Sequence, residues 1–193
     1  VLTCASKISR TTKMRPGEFG NTREAKGAFF MRIRPAVPAD LPEFARVYAA
    51  AKAYMRANGN PHQWSAIYPD PETLTEDIAA GQLYAVEAAG GVHGVFALIP
   101  GADPSYAQID GAWPNALPYA TIHRIASDGR VPGVFAVCAD FAKARYLAVR
   151  MDTHADNQPM QRLAEKHGFV YCGVVQLEGV GPRLAYQWTR PQA

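Results

Sequence analysis

The chain has 193 residues, 48% of them hydrophobic, and a formal net charge of +3. That length supports one domain with a sizeable core, and no run approaches the roughly 20 apolar residues of a membrane span. Residues 1–31 hold six Lys or Arg against two Glu, a net +4 that leaves −1 for the remainder, so the basic pI gives the domain itself no argument for nucleic acid.

Residues 1–30 mix Ser, Thr, Gly and charge and lack a signal-peptide apolar core. They are expected to form a disordered basic extension or upstream segment, with the functional chain opening at Met31 (MRIRPAVPADL) and a single domain over residues 31–190. Arg32 to Ala36 reads as a first strand. Asp40 with Glu43 resembles a capping box, and Leu41, Phe44, Ala45, Tyr48 and Met55 recur at helical spacing. The helix fades at Asn58-Gly59-Asn60-Pro61, and an aromatic loop with Trp64 and Tyr68 follows.

Thr73 to Ala80 is a short helix. Leu83 to Ala88 and Val92 to Ile99 flank Gly90-Gly91 as a β-hairpin. Residues 100–118 read as a Pro/Gly/Ala loop and Tyr119 to Ala126 as the next strand. A turn carrying Gly129, Arg130, Pro132 and Gly133 opens a helix that buries Val134, Val137, Cys138 and Phe141. Such a turn aims free N–H groups, and the positive end of the helix dipole, at an anion. Leu147 to Asp152 is a strand. Asn157 caps a second helix that stops at Gly168, and Phe169 to Leu177 with Leu184 to Trp188 form a closing antiparallel pair. Three cysteines without CxxC spacing point to reduced thiols and a cytoplasmic protein.

Two segments carry a family resemblance. One is strand–turn–helix with Arg130-Val131-Pro132-Gly133-Val134-Phe135. The other is Asn157-Gln158-Pro159-Met160-Gln161-Arg162-Leu163-Ala164-Glu165-Lys166-His167-Gly168-Phe169. With the element order, these resemble the GNAT superfamily of acyl-CoA-dependent N-acyltransferases over roughly residues 32–188. The resemblance implies an α/β fold with a mixed, mostly antiparallel central sheet, flanked by helices and splayed at a central parallel strand pair. It implies acetyl-CoA as co-substrate, no metal, and a small-molecule or peptide amine as acceptor, and it admits a homodimer.

By the same resemblance, Ile125, Ala126 and Ser127 would pair their backbone with the pantetheine arm. N–H groups from Arg130 and Val131 through Gly133, Val134 and Phe135 would cradle the pyrophosphate, and Asn157 would bond near the cofactor arm. Three positions depart from the family pattern. Pro132 offers no N–H. Phe135 replaces a small residue that allows close phosphate approach. Ala164 stands where many members have a tyrosine acid. A non-catalytic acyl-CoA-binding module is therefore the alternative.

Acyl transfer to an amine near pKa 10 needs a base to take a proton at pH 7. His123 stands on the strand before the turn, where family members often place a carboxylate, and histidine titrates near neutrality. Tyr171, just after Gly168-Phe169, is the candidate acid. Cys172, on the opposite strand face, is a weaker one, since no base adjoins it. Trp64 and Tyr68, with His62, are candidates to line the acceptor pocket. Arg124 suits an acidic group of either substrate or a surface ion pair, and Arg183 belongs to a turn. Asp152, His154 and Asp156 alternate without metal-partner spacing and read as loop polarity and capping.

Overall fold

A computed structural model describes residues 30–88 and 90–191. The expected basic extension, apart from Phe30, lies outside the described residues. The elements are β1 (Arg32–Pro35), α1 (Leu41–Ala57), α2 (Pro71–Ala79), β2 (Leu83–Ala88), β3 (Gly91–Pro100), β4 (Ile109–Gly111), β5 (Tyr119–Ser127), α3 (Val134–Arg145), β6 (Ala148–Thr153), α4 (Gln158–Lys166), β7 (Val170–Leu177) and β8 (Gly181–Thr189). The strands form one sheet in the order β1-β2-β3-β5-β6-β8-β7-β4. Every pair is antiparallel except β5–β6.

Alternation along the strands divides the core between the two faces of this sheet. Leu83 and Ala85 of β2 and Val95 and Ala97 of β3 pack on Phe44, Val47 and Tyr48 of α1 and Leu74 of α2. Val86, Phe96 and Leu98 turn the other way, onto Val134, Cys138 and Ala142 of α3. Phe96 stacks on Tyr84 at 5.3 Å and meets Phe141 edge-on at 5.9 Å. Truncating so enclosed a ring to alanine costs about 3–5 kcal/mol. A Cβ at Gly94 would lie 2.5 Å from Val134 Cγ1 and 3.3 Å from Val86 Cβ, so glycine is what lets α3 settle onto β3.

Several local expectations are corrected. Asp40 does not cap α1. It accepts from the Val37 N–H at 2.8 Å and pairs with Arg34 at 2.7 Å, so a 3-10 turn at Pro38–Asp40 precedes the helix. α2 begins at Pro71 because Asp70 accepts from the Thr73 N–H at 2.8 Å. The 100–118 segment is not all loop. Its three-residue strand β4 pairs with β7 at the far edge of the sheet, where Gly111 faces Gly173. Three residues are too short for a period to show. β8 starts at Gly181, which puts Arg183 in a strand rather than a turn.

Candidate active site

The parallel pair β5–β6 is in register only from Tyr119 and Ala148 to Ile122 and Met151. β5 then runs on to Ser127 and β6 to Thr153. The strands part, and Ile125, Ala126 and Ser127 are left without a strand partner on that side. A cavity of about 810 Å³ fills the gap. Its walls come from α1, the 62–68 loop, the end of β5, the first turn of α4 and the β7–β8 turn.

A bulge shapes the β5 wall. Val95 faces Ala126 and Ala97 faces His123, so two β5 residues oppose Phe96 alone. Arg124 takes up the extra length with φ 52, in the left-handed region. Non-glycine residues enter that region at a cost of about 1–3 kcal/mol, and here three contacts hold it. Tyr48 Oη donates to the Arg124 carbonyl at 2.9 Å, and the guanidinium forms a fork with both carboxylate oxygens of Asp77 at 2.8 Å. Arg124 therefore belongs to a part-buried structural ion pair rather than a surface one.

Past Ser127 the chain turns around Asp128, whose side chain is 1% exposed. Its carboxylate accepts from Arg46 at 2.8 Å, from His93 Nδ1 at 3.0 Å and from the Arg130 N–H at 3.0 Å. Burial opposes the charge, but the Arg46 bond and then the backbone and His93 bonds outweigh it, so the carboxyl titrates below its usual range. Gly133, with φ 88, turns the chain into α3. Among the described residues, no acceptor meets the N–H groups of Val134, Phe135 and Ala136. The cavity reaches the turn at Ser127, Asp128 and Gly129, and that turn leads on into a 12-residue helix with a free N-terminus.

At the base of the split lies a chain of polar side chains. His123 Nε2 is 2.8 Å from Asp103 Oδ2, and its Nδ1 is 3.9 Å from Asp152 Oδ2. Tyr106 Oη donates to that same Asp152 oxygen at 2.6 Å. The His123 bond, helped by Ser105, holds the Asp103 carboxyl at about 2. An ionised carboxylate only accepts, so Nε2 carries the proton. In the neutral ring that leaves the lone pair on Nδ1, the arrangement a proton acceptor needs.

No family model matches the sequence, and no curated protein matches it significantly. Solved structures do resemble the fold. A GNAT-family acetyltransferase from Streptococcus agalactiae 2603 is 29% identical with a TM-score of 0.72, over 84% of this chain and 96% of that one. A protein described as a putative acetyltransferase from Staphylococcus aureus Mu50 is 28% identical with a TM-score of 0.60, over 81% and 97%. Mycobacterium smegmatis RimJ, solved in complex with CoA-disulfide, shares the fold at 15% identity and a TM-score of 0.55, over 84% and 85%.

The fold of this chain is that of the GNAT-family acetyltransferases.

These neighbours support an N-acetyltransferase in general. The expected α/β sheet, splayed at its parallel pair, is the one observed. Of the residues expected at the GNAT cofactor site, Ile125, Ala126, Ser127 and Asn157 line the cavity. Arg130 sends its guanidinium into solvent, while Val131 and Val134 are core residues. Phe135 does not crowd the turn. Its ring is buried against His167 and Phe169, with centroids 5.5 and 6.3 Å away.

Of the residues expected at the acceptor pocket, Trp64 and Tyr68 line the cavity, and Trp64 packs edge-on to Tyr48 at 5.6 Å and to Tyr68 at 6.3 Å. His123 lines it as well. Tyr171 does not. It is 53% exposed on β7 with its ring edge-on to Tyr186, outside the cavity wall. Cys172 is buried, which pushes its thiol up, and its sulfur contacts the Val170 carbonyl. Asp152 turns to Tyr106 while His154 meets Asp156 at 3.4 Å, so the alternating triplet does not converge. Among the described residues no cluster of three His, Cys, Asp or Glu could hold a metal.

Sequence reasoning missed Gln63, Asp103, Asp128 and the inward placement of Arg183. Asp103-Pro104 and Ser127-Asp128-Gly129 carried turn signals only, and nothing in them announced a partner many residues away.

Proposed function

We propose that this protein is an acetyl-CoA-dependent N-acetyltransferase acting on a small-molecule or peptide amine in a ternary complex. The observation that carries the proposal is the parting of β5 and β6 over a cavity that reaches the Ser127–Gly129 turn, with the free N-terminus of α3 a few residues further along the chain. Unpaired backbone at Ile125–Ser127 suits the amides of a pantetheine arm. The N–H groups of Val134, Phe135 and Ala136, with Arg130 nearby, suit a pyrophosphate. Pro132 removes one donor, but the helix N-terminus supplies the others. Acetyl-CoA supplies the activated acyl group as a thioester.

His123 then serves as the base. As the acceptor nitrogen bonds to the thioester carbon and the C–S bond breaks, the amine proton passes to Nδ1, directly or through water. Asp103 holds Nε2–H and favours the imidazolium that results. The electron pair of the broken bond leaves on sulfur. A thiolate, with an ordinary pKa of about 8.5, leaves without a dedicated acid, so neither Ala164 nor the outward-facing Tyr171 bars the reaction. A cytoplasmic location and a homodimer belong to the same reading.

One observation favours a second reading, a non-catalytic acyl-CoA binder: Ala164 is fully buried where many family members carry a tyrosine. The deciding experiment is thermal unfolding with acetyl-CoA against ATP and NAD controls, followed by thiol release with an amine panel. Ligand at 100 times its Kd adds about 2.7 kcal/mol, a rise of about 5–10 °C for a domain of this size. A selective rise with amine-dependent thiol release supports the enzyme. A rise without release supports the binder, and no rise ends both.

A further inference from the structure

We infer that the acceptor carries a carboxylate and that Arg183 is the residue that binds it; the inference rests on the proposed transferase reading and names its substrate class.

Arg183 lies on β8, opposite Val175 of β7, and lines the cavity together with His123 and Asp152. It is 4% exposed. Its only hydrogen bonds among the described residues go to neutral carbonyls: Nη1 to Pro182 at 2.8 Å and Nη2 to Gln63 at 3.2 Å. A guanidinium has five N–H donors, so much of its capacity is unused. No carboxylate within the described residues comes within ion-pair distance of it. Asp152 is the strongest charge influence on it. Burial lowers the guanidinium's pKa, and attraction to Asp152 and Tyr68 offsets only part of that. Asp152 is already engaged by Tyr106 Oη.

The other inward arginines have their charge met. Arg124 forks onto Asp77 at 2.8 Å. Arg150 also lacks a carboxylate, but it lies between the faces of Trp113 and Tyr119, each 3.8 Å away, outside the cavity. Arg183 has neither a carboxylate nor an aromatic face. Burying a cation in that state is costly unless an anion arrives. A carboxylate arriving from the cavity would complete a two-pronged pair with the remaining N–H groups.

The anion could come from either substrate, and the topology favours the acceptor. Phosphates of coenzyme A are suited to the α3 N-terminus, on the β5 side of the split. Arg183 stands on the β6–β8 side, bonded to the 62–68 loop that carries Trp64 and Tyr68. An amine that also bears a carboxylate, such as an amino acid, would present its nitrogen between this anchor and His123.

The test compares amino acids with their own C-terminal amides in the full chain. Initial rates are read by thiol release at saturating acetyl-CoA, and binding by thermal unfolding with and without coenzyme A. The free acids should have kcat/KM at least about tenfold above the amides. That ratio should fall to near one in Arg183→Met and recover in part in Arg183→Lys, with acetyl-CoA affinity unchanged. Equal use of acids and amides, or a preference that survives in Arg183→Met, overturns the inference. So does a loss of acetyl-CoA affinity with the acid preference intact, which would assign Arg183 to the cofactor. If no amine is acetylated, the transferase reading fails on its own terms, and the binding arm still decides: stabilisation by acids but not amides, lost in the variant, keeps the carboxylate site, and its absence removes it. Should Arg183→Met not fold, the wild-type ratio and the Lys variant carry the decision.

Discussion

Gln63 and Asn157 join the loop after α1 to the helix after β6: Asn157 Nδ2 donates to Gln63 Oε1 at 2.8 Å. The same oxygen accepts from Asn60 Nδ2 at 2.9 Å and from Thr153 Oγ1 at 3.3 Å. Asn157 Oδ1 meanwhile caps α4 by accepting from the Met160 N–H at 3.2 Å. Both ends of the Asn157 amide are therefore in use within the protein. Its place at the cavity wall is that of a strut between loop and helix.

Gln63→Ala should strip three donors of their shared acceptor. Leaving a buried polar group unsatisfied costs about 1–3 kcal/mol, which for a domain of this size lowers the melting temperature by roughly 2–4 °C per kcal/mol. Thermal unfolding reads this directly. The backbone carbonyl that Arg183 bonds is kept, but the loop that carries it loses its tie to α4, so acceptor affinity should fall alongside stability.

His123→Gln should lower kcat/KM by about 100- to 10,000-fold, the usual contribution of a positioned base, while acetyl-CoA affinity stays constant. Steady-state rates and a thermal shift with acetyl-CoA separate the two effects. The rise in rate with pH that a base produces should vanish in the variant, and a profile that keeps its shape would assign proton removal elsewhere.

Asp103→Asn addresses the acid side of stability. The folded carboxyl sits at about 2, below its ordinary 3.8. A depressed carboxyl contributes stability that is present in full above 3.8 and is lost as the pH falls through about 2. Allowing for its partial exposure, the share is about 1–2 kcal/mol. Urea unfolding across that window should show a shallower acid loss in the variant than in the parent.

Gly94→Ala should cost about 1–3 kcal/mol through overpacking, since the added methyl meets Val134 in the first turn of α3. Displacing that turn moves the N–H groups proposed for the pyrophosphate. The melting-temperature rise produced by acetyl-CoA should therefore shrink by more than the baseline stability does. Titrating acetyl-CoA into both proteins checks this.

The fold was legible wherever a segment was long enough to show a period and carried a boundary residue. α4, with Asn157 at one end and Gly168 at the other, and the Gly90-Gly91 hairpin are such cases. β4 was not, because three residues including a glycine have no alternation to read. Residues that act alone from one strand, such as His123, could be picked out by type and place. Asp103, Asp128 and Gln63 could not, since their partners lie 20, 82 and 94 residues away in the chain. Arg183 was misplaced for a related reason: Gly181-Pro182 reads as a turn, and only the pairing of β8 with β7 pulls the arginine into the wall.

The parting of β5 from β6 has a consequence for the protein without ligand. It creates two sheet edges in the middle of the molecule rather than at its rim. Edges with unmet N–H and C=O groups invite any extended chain to add itself as a strand. The helix α1 and the 62–68 loop line this opening, so the edges are reached by a slender extended chain. On the proposed reading, the cofactor's arm completes the sheet as a missing strand would. The substrate-free protein is then the form most exposed to misassociation, and saturation with acetyl-CoA during purification should keep it monodisperse.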